Sequence, residues 1–261
     1  MIKSLKLFVM VLLVSGLAWG ADNSIYVDQS GDDSTIDVTQ TGAGNVLRGI
    51  QGAGTGNTTP AKFYGDNSIV DIRQVGSDNT ANIGFNVSTA AGYAYGIDLT
   101  YYVTGNNAVA TFNINNAGTG TAGSNTIDVR QTGNTAGINL NMLGSKNSFI
   151  ATTTGGASNT ITATVNADDT NTNLAVSAGG NNAVTFNLTS NKAVNNIDIA
   201  GASNSLNLTQ SGVAGTNGHA FTLDLTGSSN TFNVTQSGTI DTTVNVLSAG
   251  SGNTWNITSG N

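Results

Sequence analysis

Hydrophobic and polar residues alternate with a period of two along most of the chain after residue 22. In the first such segment, Ile25 and Val27 share one face of an extended strand, while Ser24, Tyr26 and Asp28 share the other. A face that carries aliphatic side chains is expected to be buried. The pattern therefore predicts short strands, each with one buried and one exposed face.

These strand-like segments recur as a frame in which Asn or Ser is followed by five residues and then by Gln. The frames at Asn23, Ser34 and Asn45 start 11 residues apart. Further units near Asn159, Asn182 and Asn253 keep the alternation without the Gln, and they extend the series to about twenty units. The first and last residues of the complete frames are Asn23 and Gln29, Ser34 and Gln40, Asn45 and Gln51, Ser68 and Gln74, Asn125 and Gln131, Asn204 and Gln210, and Asn230 and Gln236.

Glycine follows most frames and indicates a tight turn, because it adopts positive φ without a steric penalty. One strand and one turn form a unit, and two units form a coil of about 22 residues. The sequence therefore predicts an all-β fold, a two-sided β-solenoid of about ten coils whose strands pair between successive coils. The predicted turn glycines are Gly31, Gly42, Gly44, Gly76, Gly133, Gly212 and Gly238.

The first and last residue of each frame lie on the buried face with the aliphatic residues. A buried amide is costly unless its donors and acceptors are satisfied. If the coils stack about 4.8 Å apart, each Asn or Gln amide can bond the equivalent residue above and below, as in cross-β ladders. The frame residues are therefore predicted to form inward amide ladders that support self-assembly.

The chain is predicted to contain one solenoid domain at 21–261, with longer loops near 52–66, where Pro60 lies, and near 116–124. Residues 1–20 have the features of a secretory signal peptide: two lysines, an apolar segment and small residues before a cleavage point. That apolar segment is too short for a membrane anchor, which needs roughly 20 residues. The mature protein is therefore expected to be secreted, with no membrane span.

Composition excludes several classes of protein. The chain contains 34 Gly, 36 Asn and 37 Thr, but no Glu and no Cys, so it lacks good helix formers and disulfides. Its net charge is −7, and loss of the leader would remove two of the eight basic residues, which disfavours nucleic acid as a partner. His219 is the single His, and Asp168 and Asp169 would point to opposite faces of a strand. We therefore expect no enzyme activity, no metal and no cofactor.

The segment from Ser34 through Gln40, Gly42, Gly44 and Asn45 to Gln51 resembles the curlin repeat, the tandem unit of bacterial curli fibre subunits. The resemblance implies a subunit of a functional amyloid fibre that crosses an outer-membrane channel and assembles in the biofilm matrix, where it mediates adhesion. It also implies a nucleator subunit as partner, and the frame residues match the family's inward ladders. Four features depart from the family: the chain is longer than the usual five-repeat subunit requires, many units lack Gln, Asn often replaces Ser, and no Gly- and Asn-rich leader precedes the repeats.

Two alternatives to a fibre subunit follow from other residues. A monomeric adhesin or glycan-binding rod could use an aromatic cluster of Tyr93, Tyr95, Tyr101 and Tyr102. An ice-binding solenoid would need an outward Thr-x-Thr ladder on consecutive coils, of which Thr160, Thr162 and Thr164 form one row.

Overall fold

The computed structural model describes most of the chain between Ser24 and Ser259. The described ranges are 24–30, 33–50, 60–64, 67–85, 98–105, 107–116, 126–133, 135–144, 148–156, 158–166, 171–177, 180–189, 194–211, 220–237 and 243–259.

The described residues form strands joined by turns. The strands are β1 (Ser24–Tyr26), β2 (Asp28–Ser30), β3 (Thr35–Thr41), β4 (Val46–Arg48), β5 (Ala61–Tyr64), β6 (Ile69–Val75), β7 (Thr80–Phe85), β8 (Asp98–Thr104), β9 (Asn107–Asn116), β10 (Thr126–Thr132), β11 (Thr135–Gly144), β12 (Ser148–Thr154), β13 (Ser158–Asn166), β14 (Asn171–Ser177), β15 (Asn181–Thr189), β16 (Val194–Ala200), β17 (Ser205–Ser211), β18 (Ala220–Thr226), β19 (Thr231–Ser237), β20 (Thr243–Ala249) and β21 (Thr254–Ser259). No helix in the described ranges is long and apolar enough to cross a membrane.

The strands form two sheets, and from β6 onward successive strands alternate between them. Sheet A has 12 strands and runs from β1 to β21, and sheet B has 9 strands and runs from β3 to β20. Every neighbouring pair is parallel, for example β17 with β19 and β16 with β18. Each coil thus contributes one rung, a strand or a pair of short strands, to each sheet. This arrangement confirms the predicted two-sided β-solenoid.

The core lies between the two sheets because side chains alternate along every strand. In β3 the burial alternates strictly, with Ile36 and Val38 buried and their neighbours exposed. Stacking the coils then places inward residues in columns along the solenoid axis. In one column the rings of Phe232 and Trp255 stack with centroids 4.9 Å apart.

The second rung of sheet A is split by an insertion. Its two short strands, β4 and β5, lie on either side of the insertion. β4 pairs with β1 and β5 pairs with β2, so together they stack on the first rung. The predicted loop at 52–66 is therefore too long at its C-terminal end. Ala61 and Phe63 are fully buried and alternate with the more exposed Lys62, a strand pattern that Pro60 obscured in the sequence. Residues 51–59 lie outside the described ranges, as do residues 117–124 of the second predicted loop.

Candidate functional site

An asparagine ladder lines sheet A at the position where the chain enters each strand. The ladder has two blocks: Asn45 and Asn79, then Asn159, Asn182, Asn204, Asn230 and Asn253. In the second block the side-chain oxygen of one rung accepts from the preceding rung: Asn182 Nδ2 donates to Asn204 Oδ1 at 2.8 Å, and Asn230 Nδ2 donates to Asn253 Oδ1 at 3.0 Å. The backbone N–H of Asn204 donates to Asn230 Oδ1 at 2.8 Å. Inter-coil amide bonds therefore satisfy much of this buried polar column.

The sequence-predicted members of this ladder are Asn45, Asn204 and Asn230, all of which are buried. Sequence reasoning did not select Asn79, Asn159, Asn182 or Asn253, because their units lack the closing Gln. A signal was present in the sequence, because a glycine stands three residues before every one of the seven ladder asparagines. In three of these Gly-x-x-Asn segments, Asn Nδ2 donates a hydrogen bond to the Gly carbonyl. The distances are 3.1 Å for Asn45 to Gly42, 3.2 Å for Asn79 to Gly76 and 3.0 Å for Asn204 to Gly201.

The glycines of these turns form a second column. Gly42, Gly76 and Gly227 have φ values of 131°, 144° and 141°, and the Gly76 N–H donates to the Thr104 carbonyl of the next coil at 2.9 Å. A Cβ at Gly76 would lie 1.6 Å from the Gly42 carbonyl oxygen. Glycine is thus required here by close approach between coils as well as by φ. Gly44 (φ 65°) and Gly133 also lie in described turns, whereas Gly31, Gly212 and Gly238 fall outside the described residues.

Glutamines form two short ladders, one in each sheet. In sheet B, Gln74 Nε2 donates to Gln40 Oε1 at 2.7 Å, and the Tyr101 hydroxyl donates to Gln74 Oε1 at 2.6 Å. In sheet A, Gln236 Nε2 donates to Gln210 Oε1 at 3.2 Å. All four glutamines are buried. These pairs arise where two complete frames occupy neighbouring rungs of one sheet.

The other predicted glutamines do not stack on one another. Gln131 lies between Val103 and Thr153 in the register of sheet B, and its Nε2 donates to the Gly137 carbonyl at 3.3 Å. Gln29 lies opposite Phe63, because the insertion places Phe63 in that column; Gln51 lies outside the described residues. Whether the glutamines of successive frames form a continuous ladder could not be predicted from the sequence. The number of units between two frames determines whether they enter the same sheet on neighbouring rungs.

The serine frame positions are buried at the start of sheet B. Ser34 accepts a hydrogen bond from the Gln29 amide, and its carbonyl accepts the Ile69 N–H at 2.8 Å. Ser68 is buried in the next rung, and its carbonyl accepts the Asp98 N–H at 2.9 Å. Asn23 and Asn125 lie outside the described residues. The predicted role of all these residues in self-assembly stays a prediction.

The residues of the alternative functions are not gathered into one surface in the described ranges. Tyr101 is fully buried, and this burial raises the pKa of its hydroxyl. Tyr102 points outward beneath Arg73, whose guanidinium lies 5.6 Å from the ring centroid. Tyr93 and Tyr95 lie outside the described residues, as do His219, Asp168 and Asp169. The two described tyrosines therefore occupy opposite faces of β8.

The outward threonine row of β13 is not repeated on the adjoining rungs. Thr160 lies opposite Gly137 and Ala183, and Thr164 lies opposite Asn141 and Asn187. Within the described ranges, no group of three or more His, Cys, Asp or Glu could hold a metal ion.

A buried amide in sheet B offers a test of how the ladders contribute to stability. Asn195 is 1% exposed between Thr172 and Phe221, and neither of its side-chain polar atoms has a hydrogen-bond partner among the described residues. We expect Asn195→Leu to raise the free energy of unfolding by about 1–3 kcal/mol, since it removes an unpaired buried polar group. Urea unfolding measures the change.

The matched control is Asn204→Leu, which makes the same replacement at a buried but hydrogen-bonded amide. It removes the acceptor of the Asn182 Nδ2 and backbone N–H groups on the preceding rung and is expected to lower the free energy of unfolding by about 1–3 kcal/mol. Equal effects of the two variants would show that inter-coil bonds do not distinguish the two sites.

Two aspartates stack on the outer face of sheet B. The pKa of Asp198 is raised, first because burial desolvates its carboxyl group and then because Asp224 stands beside it on the next rung. A raised pKa means that the folded state binds the proton more tightly than the unfolded state. Stability therefore rises as the pH falls through the raised pKa, and this gain is complete below the unfolded value of about 3.9.

We expect Asp198→Asn to raise the melting temperature at pH 7, with the gain over wild type shrinking as the pH approaches 4. Melting curves between pH 4 and pH 8 measure it. Asp128→Asn is the control on the same face, because Asp128 pairs with Arg130 at 2.7 Å and its loss removes a favourable contact. A gain at pH 7 that is the same for both variants would contradict the stacking argument.

The comparisons with known proteins point to one family. A family model for the curlin associated repeat matches residues 20–42, which include β1, β2 and β3. No significant match is found among curated proteins or among solved structures. The matched segment contains the frames that open with Asn23 and Ser34 and the turn glycine Gly42. The match spans 23 of the 261 residues and shows that this segment is similar to the curlin associated repeat.

Proposed function

We propose that the protein is a secreted structural subunit that assembles end to end into curli-like amyloid fibres of the extracellular matrix. The observation that carries the proposal is the state of the last described coil. Its inward side chains are incompletely covered: Trp255 is only partly buried, and Ile257 is 48% exposed although its column neighbour Val234 is 1% exposed. An added rung would bury them.

The strand edges at both ends support the same conclusion. Among the described strands, β1 and β2 end sheet A on one side and β21 ends it on the other, while β3 and β20 end sheet B. Each of these strands has a neighbour on one side only. Ile25 and Val27 are partly buried on the first rung. An open parallel edge above an incompletely covered core favours pairing with another chain.

The asparagine ladder gives this stacking a direction. In the bonded pairs from Asn182 to Asn253, each rung donates its amide to the oxygen of the following rung. A second copy docked on β21 would continue the ladder if it supplied an oxygen to the Asn253 rung. Fibre growth would then add rungs with the chemistry that already joins the coils inside one subunit.

Extracellular placement follows from the family and from the leader at residues 1–20, whose removal is part of the proposal. A matrix fibre would mediate adhesion and aggregation. An outer-membrane channel and a nucleator subunit are the partners that the family implies. Inter-coil bonds and the inter-sheet core hold the described fold together without disulfides, since the chain contains no Cys.

The test uses a chain of residues 21–261, which keeps every described strand. Without the leader, Trp255 is the single tryptophan and reports directly on the last coil. Dilution from denaturant to micromolar concentration should give fibres that bind thioflavin T, with reflections at about 4.7–4.8 Å and about 10 Å. Trp255 emission should shift to the blue with the same time course.

A soluble β-rich monomer that neither grows nor seeds fibres would contradict the proposal. Screens on glycans and on ice would then test the alternative of an adhesive rod. Fibres that form with Trp255 emission unchanged would contradict end-to-end docking through the last coil.

A further inference from the structure

The outer face of sheet A carries no charged side chain across the described rungs from β9 to β21. We call this surface the neutral face. Its outward residues are almost entirely Thr, Asn, Ser and small residues, and most are exposed. The central ones are Thr111, Asn113, Asn139, Asn141, Thr162, Thr164, Thr185, Asn187, Asn207, Thr209, Asn233, Thr235, Asn256 and Thr258.

The outer face of sheet B is different, because acidic residues recur along it. Asp37 stacks on Asp71, and Asp198 stacks on Asp224. Asp128 lies between these pairs and bonds Arg130. The whole chain carries a net charge of −7. Two copies that approach through sheet B therefore repel each other, whereas two copies that approach through the neutral face bring no charge into contact.

The neutral face is also ordered before any partner binds. Asn233 Nδ2 donates to Asn207 Oδ1 at 2.8 Å, and Asn256 Nδ2 donates to Asn233 Oδ1 at 2.9 Å, so these side chains are already held in a row. Little side-chain entropy remains to be lost when such a row packs against another surface. Flat rows of this kind interdigitate in the paired sheets of cross-β fibres.

The size of the face fits a specific interface. Three outward columns on a strand cover about 20 Å, and seven rungs cover about 30 Å at the usual strand spacing. One copy would therefore bury about 600 Å², and a pair about 1,200 Å² in total, which is the lower end for specific protein interfaces.

We propose that two copies of this chain pair through their neutral faces, sheet A against sheet A, which leaves the acidic faces of sheet B in solvent. This pairing is lateral and is separate from end-to-end growth through the strand edges. Carbohydrate is disfavoured as the occupant because none of the described outward residues on these rungs is aromatic. In two fibres lying side by side, every subunit would make this contact. The total affinity between the fibres would therefore greatly exceed that of one pair of subunits.

The test compares lysine substitutions at two equivalent exposed asparagines. Asn233→Lys places a charge on the neutral face and removes the bonds to Asn207 and Asn256. Asn196→Lys is the control on sheet B, where Asn196 Nδ2 donates to Asn173 Oδ1 at 2.9 Å. Both variants change the net charge equally, but Asn233→Lys removes two exposed Asn–Asn bonds and Asn196→Lys removes one. Urea unfolding of both variants therefore accompanies the pairing measurements, to separate an effect on the fold from an effect on pairing.

Pairing of residues 21–261 is measured both in the soluble protein and in fibres. Sedimentation velocity of the soluble protein should show a dimer whose dissociation constant rises about a hundredfold in Asn233→Lys, because a lysine buried without a partner is costly. Scanning transmission electron microscopy should give wild-type fibres twice the mass per length of a single solenoid. Asn233→Lys should reduce this value to one solenoid, and Asn196→Lys should leave both readings at wild-type levels.

The outcomes separate this proposal from the proposed function. A soluble dimer that is sensitive to Asn233→Lys, without fibres, would overturn end-to-end assembly and keep the pairing. Fibres with the mass per length of one solenoid, or equal effects of the two lysine variants, would overturn the pairing and keep the assembly. A wild-type monomer that binds insoluble cellulose or ice, and loses this binding in Asn233→Lys, would assign the face to that ligand and overturn the pairing.

Discussion

A Gly227→Ala substitution is expected to lower the free energy of unfolding by about 3 kcal/mol or more. Gly227 has φ 141°, a backbone conformation that residues with a Cβ rarely adopt. The added Cβ would also lie 1.7 Å from the Gly201 carbonyl oxygen of the preceding coil. That contact is with backbone, so relief requires the two coils to separate at the turn.

Separation at this point would break two kinds of inter-coil bond. The Gly201 N–H donates to the Thr226 carbonyl at 3.0 Å, and the Asn204 N–H donates to Asn230 Oδ1 at 2.8 Å across the same pair of coils. Because stability in a repeat array depends on interfaces between neighbours, the damage should also weaken the coils that follow. Urea unfolding of the soluble chain, followed by circular dichroism, measures the loss.

Gly137→Ala is the matched control for this prediction. Gly137 lies outward in the middle of β11, where a Cβ would contact a Val109 methyl group at an ordinary 3.6 Å. Ala is expected to be neutral or slightly stabilising there, since it reduces the entropy of the unfolded chain. If both alanines cost the same, the close approach of the turn glycines does not determine stability.

An Ile257→Lys substitution is expected to stop fibre growth with little effect on the isolated chain. Ile257 points inward on the last described rung but is 48% exposed, so a lysine there can still reach water in the monomer. Docking of a second copy would bury the ammonium group without a partner, at a cost of several kcal/mol. The critical concentration for growth should therefore rise roughly a hundredfold or more.

Asn245→Lys on β20 is the control, because Asn245 points outward on the last described rung of sheet B. It adds the same charge near the same end of the solenoid, yet its side chain stays in solvent after docking. Seeded growth with wild-type fibre ends, followed by thioflavin T, compares the two variants. Equal inhibition by both would indicate that general charge, and not burial of the last rung, limits growth.

The sequence by itself determined the fold class and the buried face of most strands. The predicted coil of about 22 residues fits only part of the solenoid, since equivalent residues on neighbouring rungs are 22 apart for Asn182 and Asn204 but 34 apart for Asn45 and Asn79. Alternation in β3 or β19 leaves one face apolar, and a face of this kind must be covered. Glycine after the frames indicated tight turns, and the absence of Glu together with the abundance of Gly, Asn and Thr disfavoured helices. These features are local, because each follows from residues a few positions apart. The curlin resemblance rests on the same local pattern.

The stacking order was decided only by the tertiary structure. Gln40 and Gln74 form a bonded pair, whereas Gln131 stands alone, because the units between frames determine which sheet and rung each frame enters. The insertion before β5 changes the column in the same way, by bringing Phe63 opposite Gln29. No local pattern assigns a frame to a particular sheet and rung, so the sequence predicted which residues point inward but not which of them meet.

The difference between the two outer faces has the same origin. Asp198 and Asp224 are far apart in sequence and meet only because two coils bring β16 and β18 into register. Asn207, Asn233 and Asn256 become a row for the same reason. The period of two in the sequence therefore determined which residues of this protein are buried. Which outward residues become neighbours on its surfaces was decided by the register between coils, because that register depends on the length of every intervening turn.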